Sequence, residues 1–183
     1  MEVHVTDDQI GRYFRRIQLG LRFLAHGARA QTTSQWSGLT PDQLVTLRRR
    51  WMFNADERLR GPSPSSFQCF FRSAKSRQQA SLFVCIFRIV WTGPRRSGTH
   101  GTRLIVSLEN GERLCEAFEI YREWEPDADL EFEQAVLLAT GAVEGEKIEL
   151  THCLHCSSPV LMDRLSTPNA ACPRCKEIVH MPS

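Results

Sequence analysis

The spacing of apolar residues along the chain predicts a mainly helical protein. In residues 7–28, six apolar side chains recur at intervals of three and four, which is the period of one face of an α-helix. This face is narrow, so it is suited to packing against a single partner helix. Its members are Ile10, Phe14, Ile17, Leu21, Leu24 and Ala28.

Two shorter helices, separated by a glycine turn, are predicted next. The first covers residues 28–36 and the turn covers residues 37–39. In the second, Thr40 is the expected N-cap, Pro41 takes the first helical position and Gln43 completes a capping box. The pair matches the helix-turn-helix template, whose second helix lies in the major groove of DNA. The residues expected to be buried on this second helix are Leu44, Leu47 and Trp51.

More helices are predicted between this segment and the C-terminal region. Residues 66–92 indicate one or two buried helices with basic edges, and residues 92–101 an exposed turn. Another helix is predicted within 103–124, interrupted or begun near Asn110. A last one opens after it, with Asp127 or Asp129 as its cap.

Charge is distributed unevenly along a chain whose net charge is only +2. Residues 63–103 carry seven Lys or Arg and no Asp or Glu, whereas residues 104–150 carry three basic and 13 acidic residues. The acidic block is explained by neutralisation within the fold or by solvated helix surfaces. The basic stretch indicates binding to a polyanion or to an acidic partner.

Targeting and catalytic signals are missing from the sequence. The start, MEVHVTDDQIGRYF, has no basic leader, and the most apolar run, LFVCIF at 82–87, is too short to span a bilayer. We therefore expect no membrane association and a cytoplasmic location, where thiols stay reduced. No nucleophile–base arrangement, phosphate-binding glycine loop or paired-carboxylate motif stands out, so an enzyme is not expected.

The most specific signal is a set of four cysteines near the end of the chain. Cys153 and Cys156 form one C-x2-C pair, Cys172 and Cys175 form another, and 15 residues separate the pairs. Four thiolates close a tetrahedron around zinc and leave no position for water, so the spacing predicts one structural Zn²⁺ per chain. Two disulfides, a redox C-x2-C motif and an iron–sulfur cluster are the alternatives.

The surroundings of these cysteines predict a zinc-ribbon-like module at residues 151–183. The segments VLM at 160–162 and EIVHM at 177–181 are strand candidates within it. Nearby histidines are expected to be bystanders or to support the ligands, although one could replace a cysteine; these are His152, His155 and His180. Residues 1–150 would then form the helical domain that binds DNA and a partner.

The DNA contacts expected of this helical domain come from its basic residues. Arginine and lysine side chains contact phosphates, and polar side chains on the second helix of a helix-turn-helix read bases. Gln43 and Thr46 are the candidates for base contact. The candidates for phosphate contact are Arg48, Arg49, Arg50, Arg72, Lys75, Arg77, Arg95 and Arg96.

Several runs of the sequence resemble the FlhC family of bacterial transcriptional activators. The similarity extends from about Ile17 to Cys175, and its most specific elements are I-Q-L, G-A-R-x-Q, L-R-G followed by prolines, and the two C-x2-C pairs. The resemblance implies a mainly helical protein that binds one zinc ion through Cys153, Cys156, Cys172 and Cys175.

The resemblance also implies partners and a function. Family members act in a hetero-oligomer with a small helical protein, FlhD, and the complex binds upstream double-stranded DNA and recruits RNA polymerase to flagellar operons. Divergent relatives activate conjugative-transfer operons on mobile elements, which is one alternative. A zinc-ribbon adaptor that binds only protein is the other.

Overall fold

The structure is a computed structural model that describes residues 4–51, 63–91, 104–165 and 171–175, with side chains from Asp8 onward. Within these ranges the chain is mainly α-helical, which confirms the predicted fold class, and it ends in a small four-cysteine module. None of the described helices is both long enough and apolar enough to cross a membrane.

The helices are α1 (His4–Ala25), α2 (Ala30–Ser37), α3 (Pro41–Arg50), α4 (Ala74–Val90), α5 (Leu108–Trp124) and α6 (Phe132–Glu144). A short 3-10 helix, Phe67–Phe71, precedes α4. Strands β1 (Ile148–His152) and β2 (Pro159–Asp163) pair antiparallel, with Leu150 opposite Leu161. The β2 strand was expected from the sequence, β1 was not, and the EIVHM candidate lies outside the described residues.

The chain divides into two compact units. The first is formed within residues 1–62 and 105–115, and the second within 63–104 and 116–183. The boundary expected between residues 150 and 151 falls inside β1. The division into domains 1–150 and 151–183 stays a prediction.

In the first unit, α1, α2 and α3 pack around a small apolar cluster. Leu24 of α1, Leu39 of the turn and Leu44 of α3 are buried, and Ile17 and Leu47 pack against them. Burial of such side chains stabilises the unit by roughly 1.5–3 kcal/mol each. The cluster therefore holds α3 against the first two helices.

The turn and the start of α3 form as the sequence predicts. Gly38 ends α2 in the left-handed region, at φ 69°, which favours glycine. The Thr40 hydroxyl accepts a hydrogen bond from the Gln43 N–H, and Gln43 Oε1 accepts one from the Thr40 N–H at 2.9 Å. The predicted capping box is therefore confirmed.

One residue predicted to be buried in this unit is exposed, and so are two members of the apolar face of α1. Ile10 and Phe14 are 55% and 59% exposed because α2 and the start of α5 cover only the later part of α1. Leu19 and Phe23 complete its buried side, with the Phe23 ring centroid 6.1 Å from that of Trp36. Trp51 is 61% exposed because it lies just after the last turn of α3.

In the second unit, aromatic side chains of α4, α5 and α6 form the core. Phe83 meets Tyr121 edge-on at 5.8 Å between ring centroids, and Phe118 meets Phe132 in the same way at 5.1 Å. Such edge-to-face pairs add to the stabilisation from burial.

The cap of α6 is Glu131 rather than Asp127 or Asp129, since Gln134 Oε1 accepts a hydrogen bond from the Glu131 N–H.

Tyr121 provides a first test of this core. Its hydroxyl is buried without a hydrogen-bond partner among the described residues, and burial raises its pKa. We expect Tyr121→Phe to leave the free energy of unfolding unchanged or to raise it by up to about 1 kcal/mol, because an unpaired buried hydroxyl is costly. Urea denaturation of the full chain measures this. The matched control is Tyr13→Phe at an exposed position; a clear loss of stability in Tyr121→Phe would show that the hydroxyl has a partner.

Candidate metal centre

The two-stranded sheet is fixed to α4 by polar side chains on one face of that helix. Arg77 Nε donates a hydrogen bond to the Leu161 carbonyl at 2.9 Å, and Ser81 Oγ accepts one from the Leu161 N–H at 2.8 Å. Arg88 Nη1 donates to the Leu150 carbonyl at 3.4 Å. These bonds reach the middle of both strands, so α4 sets the position of the loop that joins them.

That loop carries the first cysteine pair. The Cys153 N–H donates to the Ser158 carbonyl at 2.8 Å, and the Ser157 N–H donates to the Cys153 carbonyl at 2.9 Å. Ser157 has a φ of 58°, in the left-handed region, where the chain turns back towards β2. This tight reversal places Cys153 and Cys156 on the same loop with their sulfurs close together.

The second pair lies on a short helical turn. Residues 173–175 are helical, and Pro173 occupies the first position, where its missing N–H costs nothing. The Cys172 N–H donates to Cys153 Sγ at 3.2 Å, and the Cys175 N–H donates to Cys172 Sγ at 3.5 Å. Backbone donors directed at sulfur favour the thiolate form, which is the form that binds metals.

The four sulfurs are spaced to hold one ion. All four Sγ atoms lie within 4.8 Å of one another, and the Cys156 and Cys172 sulfurs are 3.6 Å apart. A tetrahedron with Zn–S bonds of about 2.3 Å has sulfur–sulfur edges of about 3.8 Å. Cys153 and Cys172 are buried with Val160, Cys175 packs against them, and Cys156 is exposed. The cluster could therefore bind a metal ion with four sulfur ligands.

Hydrogen bonds shift the pKa values of three of the four cysteines in the cluster. A hydrogen bond from the Cys172 N–H lowers the pKa of Cys153 to about 6, and one with the Ser158 hydroxyl lowers that of Cys156. Hydrogen bonding with Cys172 raises the pKa of Cys175 to about 12. Coordination by four thiolates therefore requires release of the proton held at Cys175.

The two described histidines nearest to the cysteines, His152 and His155, do not join the cluster. Among the described residues, the group that could hold an ion consists of the four cysteines alone, and His152 and His155 are exposed outside it. His180 lies outside the described residues. Four sulfurs already complete a tetrahedron, so no histidine is needed as a ligand.

The basic and polar residues of α3 are placed differently from one another. Arg49, Arg50 and Thr46 are exposed, and the Thr46 hydroxyl donates to the Asp42 carbonyl. Arg48 is half-buried, and its Nη2 donates to the Ala28 carbonyl at 3.2 Å. Gln43 uses its side-chain carbonyl in the capping box. Thr46, Arg49 and Arg50 are thus the α3 residues that face solvent among those expected to contact DNA.

The basic residues of the second unit also differ. Arg72 is exposed, and Lys75 Nζ makes an exposed ion pair with Asp129 Oδ2 at 2.6 Å. Arg77 directs its guanidinium at two backbone carbonyls, those of Leu161 and Ala171, and its expected phosphate contact stays a prediction. Arg95 and Arg96 lie outside the described residues.

Comparison with known proteins adds no assignment. No protein-family model matches the chain, and no curated protein matches it either. The site must therefore be interpreted from its own geometry.

Proposed function

We propose that this chain is a zinc-containing, DNA-binding transcriptional activator that works in a hetero-oligomer with an FlhD-like partner. The observation that carries the proposal is the α2–turn–α3 segment. Its second helix, α3, is fixed to the unit by its buried side and carries exposed arginines at its C-terminal end. In this proposal the complex binds upstream DNA in the cytoplasm and recruits RNA polymerase to flagellar operons. Conjugative-transfer operons are the alternative targets, and genomic binding of the purified complex distinguishes the two.

Zinc is the ion proposed for the cysteine cluster. Four thiolates at tetrahedral spacing, two of them buried, match the ligand set of structural zinc sites. Such a site has no open position for substrate or water, so its role is to hold the fold rather than to catalyse.

The α2–turn–α3 segment supports DNA binding through its two faces. Leu44 is buried on one side of α3, which fixes the helix to the unit, while Arg49 and Arg50 are exposed in its last turn. Arginines placed this way reach phosphates when the helix lies in a groove. Arg72 is a further candidate. Lys75 is another, because exposed ion pairs such as Lys75–Asp129 contribute little and exchange readily.

Arg49→Ala/Arg50→Ala tests this interface directly. Each neutralised phosphate contributes about −0.9 to the slope of log affinity against log salt, so losing two contacts should reduce the slope by about 1.8 and weaken binding. Fluorescence anisotropy of the purified hetero-oligomer with upstream DNA, at several salt concentrations, measures both quantities.

The matched control removes two exposed arginines from other elements, Arg12→Ala/Arg164→Ala. Its salt slope should stay close to that of the wild type. An unchanged slope in Arg49→Ala/Arg50→Ala would show that α3 is not at the DNA. A wild-type complex without any salt-dependent DNA binding would instead support the protein-only adaptor.

One observation favours that adaptor as the second candidate. Leu154 lies at the tip of the first cysteine loop and is 81% exposed. A large exposed apolar side chain on the loop that the cysteine cluster would hold offers an apolar contact to another protein. Leu154→Ser would then weaken partner binding without changing the metal content.

A further inference from the structure

The guanidinium of Arg77 links helix α4 to the cysteine cluster. Its Nε donates to the Leu161 carbonyl of β2 at 2.9 Å, and its Nη1 donates to the Ala171 carbonyl at 3.3 Å. Ala171 directly precedes the ligand Cys172. One side chain therefore connects the helix, the sheet and the segment that carries the second cysteine pair.

The same side chain brings a positive charge to the cluster. Burial lowers the pKa of Arg77, while the nearby charges of Cys172 and Cys153 oppose that effect. A divalent cation held by four thiolates carries a net charge of about −2. A partly buried cation beside it offsets part of this charge.

The hydrogen bonds of Ser81 keep this arrangement in place. Ser81 Oγ donates to the Arg77 carbonyl at 2.6 Å and accepts from the Leu161 N–H at 2.8 Å. Arg77 and Ser81 are four residues apart on α4, so both face the sheet. The backbone of β2 at Leu161 is thus held by one donor and one acceptor from consecutive turns of the same helix.

We propose that Arg77 is a positioning residue for the metal centre, one that orients the Cys172 segment and balances the charge of the thiolates. The inference rests on the proposed zinc site but not on DNA binding. Because coupling between two sites is reciprocal, metal binding then also strengthens the contact between α4 and the sheet. The metal would secure the sheet against the helical core in addition to closing its own loop.

The test is the zinc affinity of the full chain, measured by competition with a chromophoric chelator. Arg77→Met keeps an unbranched apolar side chain but loses the guanidinium with its charge and donors, and we expect zinc affinity to fall about 10- to 100-fold, the usual effect of removing a group that supports metal ligands. Arg77→Lys should retain part of the zinc affinity, because lysine keeps the positive charge but lacks the planar guanidinium that donates two hydrogen bonds. The matched control, Arg72→Met, removes an exposed arginine near the start of α4 and should bind zinc as tightly as the wild type.

Cobalt(II) substitution provides a measurement that a general loss of stability does not change. Its visible absorption reports the geometry of the four sulfurs, and we expect an altered spectrum in Arg77→Met while the far-ultraviolet circular dichroism of the helices stays the same. Equal zinc affinity in wild type, Arg77→Met and Arg77→Lys would overturn the inference and leave the metal site intact. A wild-type chain that binds no metal would overturn the proposed zinc site itself. If Arg77→Met does not fold, wild-type affinity in Arg77→Lys still contradicts the role of the guanidinium.

Discussion

Replacing Cys172 with serine is expected to remove the metal from the purified chain and to unfold the cysteine module. Cys172 is buried, its sulfur lies 3.6 Å from that of Cys156, and its N–H donates to Cys153 Sγ. Structural zinc binding contributes roughly 10–16 kcal/mol in small zinc modules, so the fold of such a module depends on the complete ligand set. Metal content should fall from about one ion per chain to nearly none, as measured by inductively coupled plasma mass spectrometry.

Cys69→Ser is the matched control for this substitution. Cys69 is half-buried in the 3-10 helix, its Sγ donates to the Ser66 carbonyl, and serine can make the same bond. This variant should keep its metal and its thermal unfolding profile. A Cys172→Ser protein that retains stoichiometric metal, or a wild-type protein that is well folded and metal-free, would contradict the metal centre.

Features determined by neighbouring residues could be predicted from the sequence. The capping box of α3 depends on Thr40 and Gln43, which are three residues apart, and the turn depends on the freedom of Gly38 to adopt a positive φ. Each cysteine pair likewise closes within a single turn of chain. The four-cysteine cluster followed from this short-range geometry together with the ligand chemistry of zinc.

Features determined by distant contacts could not be predicted in the same way. Apolar periodicity identified the face of α1 but not how far other elements of the chain cover it, and Ile10 and Phe14 on that face are exposed. The position of Arg48 depends on the carbonyl of Ala28, twenty residues earlier. Sequence spacing gives the direction of a side chain on its helix, but not the group that it meets.

The sequence around Arg77 could be interpreted in two ways. Its charge lies in a stretch without acidic residues, which favoured a phosphate contact. Yet Arg77, Ser81 and Arg88 recur at spacings of four and seven, which places them on one face of α4, and all three bond to the backbone of the sheet. The structure shows the backbone bonds of Arg77, and its phosphate contact stays a prediction.

Gly141 determines how closely α6 approaches the strand that leads into the metal centre. It lies within α6 and is buried, although glycine costs about 1 kcal/mol relative to alanine in a helix, so its presence needs a packing reason. A Cβ atom there would lie 2.6 Å from two ring carbons of Phe67 and 2.9 Å from Cδ1 of Ile148, the first residue of β1. Distances this short force the Phe67 ring and the Ile148 side chain to move.

We therefore expect Gly141→Ala to lower the free energy of unfolding by about 1–3 kcal/mol, the usual cost of overpacking a core, despite the gain in helix propensity. Urea denaturation followed by circular dichroism measures the loss, and zinc competition shows whether displacement of β1 reaches the cysteines. Gly11→Ala is the matched control, because this glycine lies in α1 with nothing within 4 Å of the added Cβ. The free energy of unfolding of this control should be unchanged or raised by up to about 1 kcal/mol, since only the difference in helix propensity between glycine and alanine remains. If both variants were equally stable, the side chains of Phe67 and Ile148 would have to accommodate the added methyl group at no cost, which would contradict close packing at Gly141.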